Sequence, residues 1–221
     1  MRYRAFTEAG AVRRRWPRLA LLAGMAAMAA LAAGCAGTGG GKTAVEAASA
    51  DPAAEVAPGI RADYGKAVAL LEAGDLEGAE ALLRRFVDAN PAYPGAWTNL
   101  AIVYRQDDRP DEAEAALDRA LGLDEGYAPA LNQLGVMHRE AGRFNEAEAA
   151  YLKAVTADPD YPLAHFNLGV LNDLYLGSPE TALTHYERYQ ALTSGGDDRV
   201  AMWIVDIRRR LGIETQSARA D

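Results

Sequence analysis

Trp97-Thr98-Asn99-Leu100-Ala101, Leu131-Asn132-Gln133-Leu134-Gly135 and His165-Phe166-Asn167-Leu168-Gly169 are the same short phrase written three times, 34 residues apart. Each opens on a bulky residue and closes on a leucine followed by a small residue. Ala79, Ala113 and Ala147 keep the same period further along. A fixed spacing of this size marks an array of supersecondary units, none of which can bury its apolar face alone. Stacking the units makes one continuous core and leaves a curved surface free.

Working outward, each unit divides into two stretches with apolar residues at i, i+3, i+4 and i+7, the period of a buried helix face. In the first unit Tyr64, Ala67, Leu70 and Leu71 precede Ala79, Leu82, Leu83 and Phe86, and Asn90-Pro91 ends the second stretch. The second unit carries Tyr104 on its first stretch and Ala113, Leu117, Ala120 and Leu121 on its second. The third carries His138, then Ala147, Tyr151 and Ala154, with Gly142 supplying the turn between them. In the fourth the alanine falls at Ala182, one residue beyond strict spacing. The reading places the extra residue in a loop, Leu176 to Pro179, with Ser178 as N-cap and Pro179 at the first helical position. After Gly195-Gly196, Asp197 or Asp198 caps a last helix whose stripe is Val200, Trp203, Ile204, Ile207 and Leu211, with Arg208 to Arg210 in its final turn.

The 34-residue phrase resembles the tetratricopeptide repeat (TPR). The resemblance implies an all-α, right-handed superhelical solenoid of about four helix–turn–helix repeats with a C-terminal capping helix. The repeats fall at about 60–93, 94–127, 128–161 and 162–195. The domain reading is 1–34 signal peptide, 35–59 lipidated cysteine and tether, 60–194 solenoid, 196–213 capping helix and 214–221 disordered tail.

The N-terminal segment lies outside the fold argument. Arg2, Arg4, Arg13, Arg14, Arg15 and Arg18 precede an apolar stretch, Leu19 to Ala33, shorter than the ~20 residues of a membrane-spanning helix. Leu31-Ala32-Ala33-Gly34-Cys35 resembles the lipobox of bacterial lipoproteins, with Ala32 where leucine is usual. The resemblance implies cleavage after Gly34 and lipidation of Cys35, the one cysteine of the chain. The alternative is a cleaved secretory signal, which would leave an unpaired, reactive thiol in an oxidising compartment. Two or more acyl chains give stable anchoring. Alanine rather than aspartate at position 36 implies release to the outer membrane, periplasmic face. Ala36 to Pro58 is rich in Gly, Ala, Ser and Pro and reads as a tether, about 23 residues long, reaching on the order of 25–30 Å.

Six of the 23 basic residues and one of the 31 acidic ones lie in 1–34, so the remainder has 17 against 30, net −13. That balance opposes nucleic acid and anionic lipid surfaces as partners, leaving the lipid anchor as the membrane contact. No phosphate-cradling glycine loop, nucleophile elbow or pair of histidines at metal spacing occurs. His138 and His165 fall on packing positions, and His185 lies beside Tyr186. The acidic pairs Asp107-Asp108 and Asp111-Glu112 flank a turn and a helix start, where negative charge suits the dipole. The expectation is a protein without catalytic residues, cofactor or metal.

In the family it resembles, the first helix of each repeat lines the concave face. Matched position by position, this implies a partner-binding groove of Thr98, Asn99, Ile102, Arg105 and Gln106 in repeat two. Repeat three adds Asn132, Gln133, Val136, Arg139 and Glu140, and repeat four Phe166, Asn167, Val170, Asp173 and Leu174. Asn99, Gln133 and Asn167 share one repeat position and are expected to hydrogen-bond a partner's backbone. Arg105 and Arg139 suit a carboxylate, although the lysines of the chaperone-type carboxylate clamp are missing. A protein or peptide partner in the envelope is the expectation. Lipobox and repeats together resemble pilotin-type lipoproteins of type IV pilus secretins, and Leu174 to Leu211 resembles TonB-associated repeat proteins. The function expected is a non-enzymatic adaptor in assembling an envelope machine; the alternative is a scaffold recruiting cell-wall enzymes or a TonB-system accessory protein.

Overall fold

A computed structural model describes residues 58–194 and 197–213. Cys35, the signal segment, Gly195-Gly196 and the tail 214–221 lie outside the described residues. Among those described there are nine α-helices and no strand. They run α1 (Pro58–Ala73), α2 (Leu76–Ala89), α3 (Pro94–Gln106), α4 (Pro110–Leu123), α5 (Ala128–Glu140), α6 (Phe144–Ala157), α7 (Pro162–Leu171), α8 (Pro179–Leu192) and α9 (Asp198–Arg210). Helix α1 begins at Pro58, inside the segment read as tether. No helix here is long and apolar enough to cross a membrane.

Helices α3, α4, α7 and α8 all carry proline in their first turn, where a missing N–H costs nothing and φ is already helical. Helices α3, α5 and α7 start 34 residues apart. The turn inside each repeat is fixed by one residue of left-handed φ: Gly74, Asp108, Gly142 and Gly177. Asp108 shows that aspartate tolerates this conformation where glycine is the easy choice.

Each pair packs face to face, and each second helix also packs on the first helix of the next repeat. The first helices α1, α3, α5 and α7 touch in series, whereas α2, α4, α6 and α8 have no comparable contact with one another. The first helices therefore lie on the short, inner side of the stack. Close approach within a pair depends on glycine. A Cβ on Gly135 would sit 2.4 Å from the Tyr151 ring, and one on Gly169 the same distance from Tyr186.

The one-residue slip in repeat four is not a loop insertion. After α7 the chain makes a π-helical turn, Asn172–Leu176, and the Asn172 carbonyl accepts the N–H of both Gly177 and Ser178. Widening one turn takes up the extra residue while Leu168, Leu171 and Asn172 stay buried. Ser178 precedes α8 as expected, but its side chain makes no capping hydrogen bond. Asp197, rather than Asp198, caps α9 through the N–H groups of Arg199 and Val200.

Candidate binding groove

The inner helices hold the residues expected to line a groove, and much of that polar row is already engaged. The Asn99 amide donates to the Tyr64 hydroxyl of the previous repeat at 2.8 Å. The Asn167 amide donates to Asn132 Oδ1, also at 2.8 Å. Thr98 donates back to the Pro94 carbonyl. Thr98, Ile102, Asn132, Gln133 and Val136 are buried between helices. Two of the three carboxamides expected for a partner's backbone are thus, in the free protein, ties from repeat to repeat, while Oε1 of Gln133 is buried without a hydrogen-bond partner. The identities were visible at 34-residue spacing; the partners 35 residues away were not.

Repeat four behaves differently. Phe166 and Val170 are half-buried against the capping-helix cluster, with Phe166 5.3 Å from the Tyr189 ring and 6.1 Å from Trp203. Asp173 is held by Arg210 at 2.5 Å. The capping helix thus takes part of the lining that the sequence assigned to a partner.

What stays open lies where α3, α5 and α7 end. Gln106 and Glu140 are exposed, and Arg105 donates to Glu140 at 2.9 Å. Arg139 is half-buried beside the phenols of Tyr151 and Tyr175. Burial pushes the Tyr151 phenol up while the neighbouring Arg139 guanidinium holds it back, and Nε of Arg105 and of Arg139 are buried without a hydrogen-bond partner. Leu174 is 67% exposed and Tyr175 44%, and Tyr175 stacks on Phe144 with ring centroids 4.6 Å apart.

The sequence reading put His165 in a packing role and left a surface role open to His185, without seeing that the two meet. Their Nδ1 atoms lie 3.1 Å apart, and His165 Nε2 is 3.0 Å from the Pro159 carbonyl. A carbonyl only accepts, so the assigned proton of His165 sits on Nε2 and its Nδ1 accepts from His185. Burial, and then the His165 neighbour, holds His185 down at about 4. No group of three or more His, Cys, Asp or Glu placed to hold a metal occurs among the described residues.

Three family models described as tetratricopeptide repeat match residues 60–103, 93–160 and 132–197, together spanning most of the described chain. The chain is a tetratricopeptide-repeat protein. Among solved structures it is similar to Pseudomonas aeruginosa pilF, at 26% identity and a TM-score of 0.61, over 69% of each chain. It shares the fold of TTC0263 from Thermus thermophilus (23% identity, TM-score 0.59, 67% of this chain and 80% of that one). It also shares the fold of MamA (21%, TM-score 0.53, 70% and 83%). No curated protein sequence matches it significantly. Proteins of this repeat class are generally non-catalytic and bind protein or peptide partners.

Proposed function

We propose that this TPR protein is a lipid-anchored adaptor on the periplasmic face of a bacterial outer membrane, docking a protein component of an envelope machine. Pilus secretin assembly is the favoured machine. The observation that carries this reading is the similarity to pilF over two thirds of both chains. The Leu31–Cys35 lipobox, which such pilotin-type lipoproteins share, supports it. The adaptor needs no chemistry of its own: a rigid inner surface at the end of a short lipid-anchored tether raises the local concentration of whatever it holds.

Two measurements test it. Cys35→Ser should move the protein out of the outer-membrane fraction of its host; unchanged fractionation refutes the anchor. Cross-linking the native protein should capture a secretin or pilus component, with capture lost when Arg105, Gln106 and Arg139 are replaced together. Capture of cell-wall enzymes, of TonB components or of the protein alone overturns the assignment.

A further inference from the structure

We propose, resting on the groove reading above, that Arg139 docks an internal Asp or Glu side chain of the partner segment, with Leu174 and Tyr175 seating an apolar side chain beside it.

The argument starts from the repeat itself. Arg105 pairs with Glu140, 35 residues on, at 2.9 Å. Arg139 occupies the same repeat position as Arg105, one unit later, and the residue 35 positions beyond it is Leu174. The carboxylate that the pattern would place against Arg139 is therefore replaced by leucine. Its neighbour Asp173 is committed to Arg210. Among the described residues Arg139 makes no ion pair; what it faces are two phenols.

A guanidinium partly removed from water without a counter-charge is unfavourable, and a carboxylate brought by a partner relieves it. The overall acidity of the chain sharpens the contrast, because the carboxylate that acts on the same Tyr151 phenol, Glu140, is committed to Arg105. The buried Nε of Arg139 has no hydrogen-bond partner, so the guanidinium is under-satisfied even beside the phenols. The π-helical turn carries the exposed Leu174 and Tyr175, and the Tyr175 phenol faces that cation. An arginine with an exposed tyrosine and leucine is the composition of an interface anchor.

The occupant is an acidic side chain rather than a chain terminus. The vacant position is that of a side-chain carboxylate.

The test uses the purified full-length chain and a random dodecapeptide library displayed on phage, whose peptides have no free C-terminal carboxylate. Wild-type protein should enrich peptides with Asp or Glu next to Leu, Ile or Phe. For a selected peptide, made with an amidated C-terminus, changing its acid to the amide should weaken binding by about tenfold on wild type. On Arg139→Gln the same change should matter by less than about twofold, because the partner charge is gone. Leu174→Ser, at an exposed position, should weaken binding severalfold with the melting temperature unchanged. Enriched peptides without an acidic bias, or peptide and protein losses that simply multiply, overturn the Arg139 assignment while leaving the groove intact. Failure to enrich any peptide overturns the groove reading, and the assignment with it.

Discussion

In repeats one and two the first helix places alanine (Ala67, Ala101) and the second, sixteen residues on, leucine (Leu83, Leu117), all nearly sealed from water. In repeats three and four the equivalent positions hold glycine (Gly135, Gly169) and tyrosine (Tyr151, and Tyr186 one residue later because of the slip). Both pairings fill the same space between two helices, one with a Cβ and an aliphatic chain, the other with a ring laid against bare backbone. The tyrosine solution has a consequence that the leucine solution lacks: it brings a hydroxyl into the stack. In the N-terminal half Asn99 is closed on Tyr64, and Arg105 is paired with Glu140. In the C-terminal half lie Arg139, which faces two phenols and makes no ion pair, the π-helical turn and the histidine pair. Where packing is uniform the solenoid is scaffold, and the irregular half is where it has groups to offer.

The largest effect tests the glycine–tyrosine pairing itself. Gly135→Leu should cost about 3 kcal/mol or more, since even a Cβ there lies 2.4 Å from the Tyr151 ring and the helices must part. Gly135→Ala should be milder, and Tyr151→Leu should recover part of its loss by recreating the pairing of repeat two. Denaturant titration of the single and double variants checks this. Strict additivity would mean that the two halves do not share one packing position.

Next in size is a response to acid centred on repeat four, beside a smaller one from His138, which burial and then Arg143 also lower. His185 is held down at about 4 against an ordinary 6.5, so its neutral form is favoured in the folded protein. Stability from this pair is complete above about pH 6.5 and falls as the pH drops toward 4, because the unfolded chain binds the proton first. The loss should be about 2 kcal/mol once half-exposure of the ring is allowed for. His185→Gln should flatten the acid limb of melting temperature against pH. An unchanged limb would show that the histidine contact is not the source.

The ties between repeats should also differ in strength. Asn167→Ala strands Asn132, a buried acceptor only 1% exposed, and should cost about 1.5 kcal/mol. Asn99→Ala leaves a half-buried phenol that can turn to water, and should cost about 1 kcal/mol. Reversed magnitudes in chemical denaturation would break the distinction between a closed N-terminal and a strained C-terminal half.

The repeat period was legible because it resides in residue size. Only small residues fit where helices approach, so Ala79, Ala113, Ala147, Gly135 and Gly169 announce the stack without help from tertiary structure. The start of α8 was legible through Pro179 for a similar local reason. The groove was legible only as positions. Whether Asn99 faces a partner or Tyr64 is decided by a residue 35 places away, and no local pattern encodes the distance between them. The slip at Ala182 was seen and its absorption misread, because Gly177-Ser178-Pro179 looks like a loop. The buried Asn172, whose carbonyl accepts two N–H groups beyond the turn, is what lets the chain widen instead.

The smallest effect separates a cap in sequence from a cap in structure. Ser178 and Asp197 both stand immediately before a helix, α8 and α9, and both are favoured N-cap residues. Asp197 Oδ1 accepts from the backbone at 3.0 and 3.3 Å, whereas the Ser178 side chain accepts nothing. Asp197→Ala should therefore lower stability by about 1 kcal/mol. Ser178→Ala should change it by less than about 0.5 kcal/mol, as at an ordinary surface site. The reason lies one turn upstream: the π-helical turn already gives the N–H of Ser178 to the Asn172 carbonyl. With the entry to α8 fixed by backbone, the serine hydroxyl has no role in starting that helix. A loss from Ser178→Ala as large as that from Asp197→Ala would mean the hydroxyl does cap α8 in solution, and that the π turn is not what fixes the start of the helix.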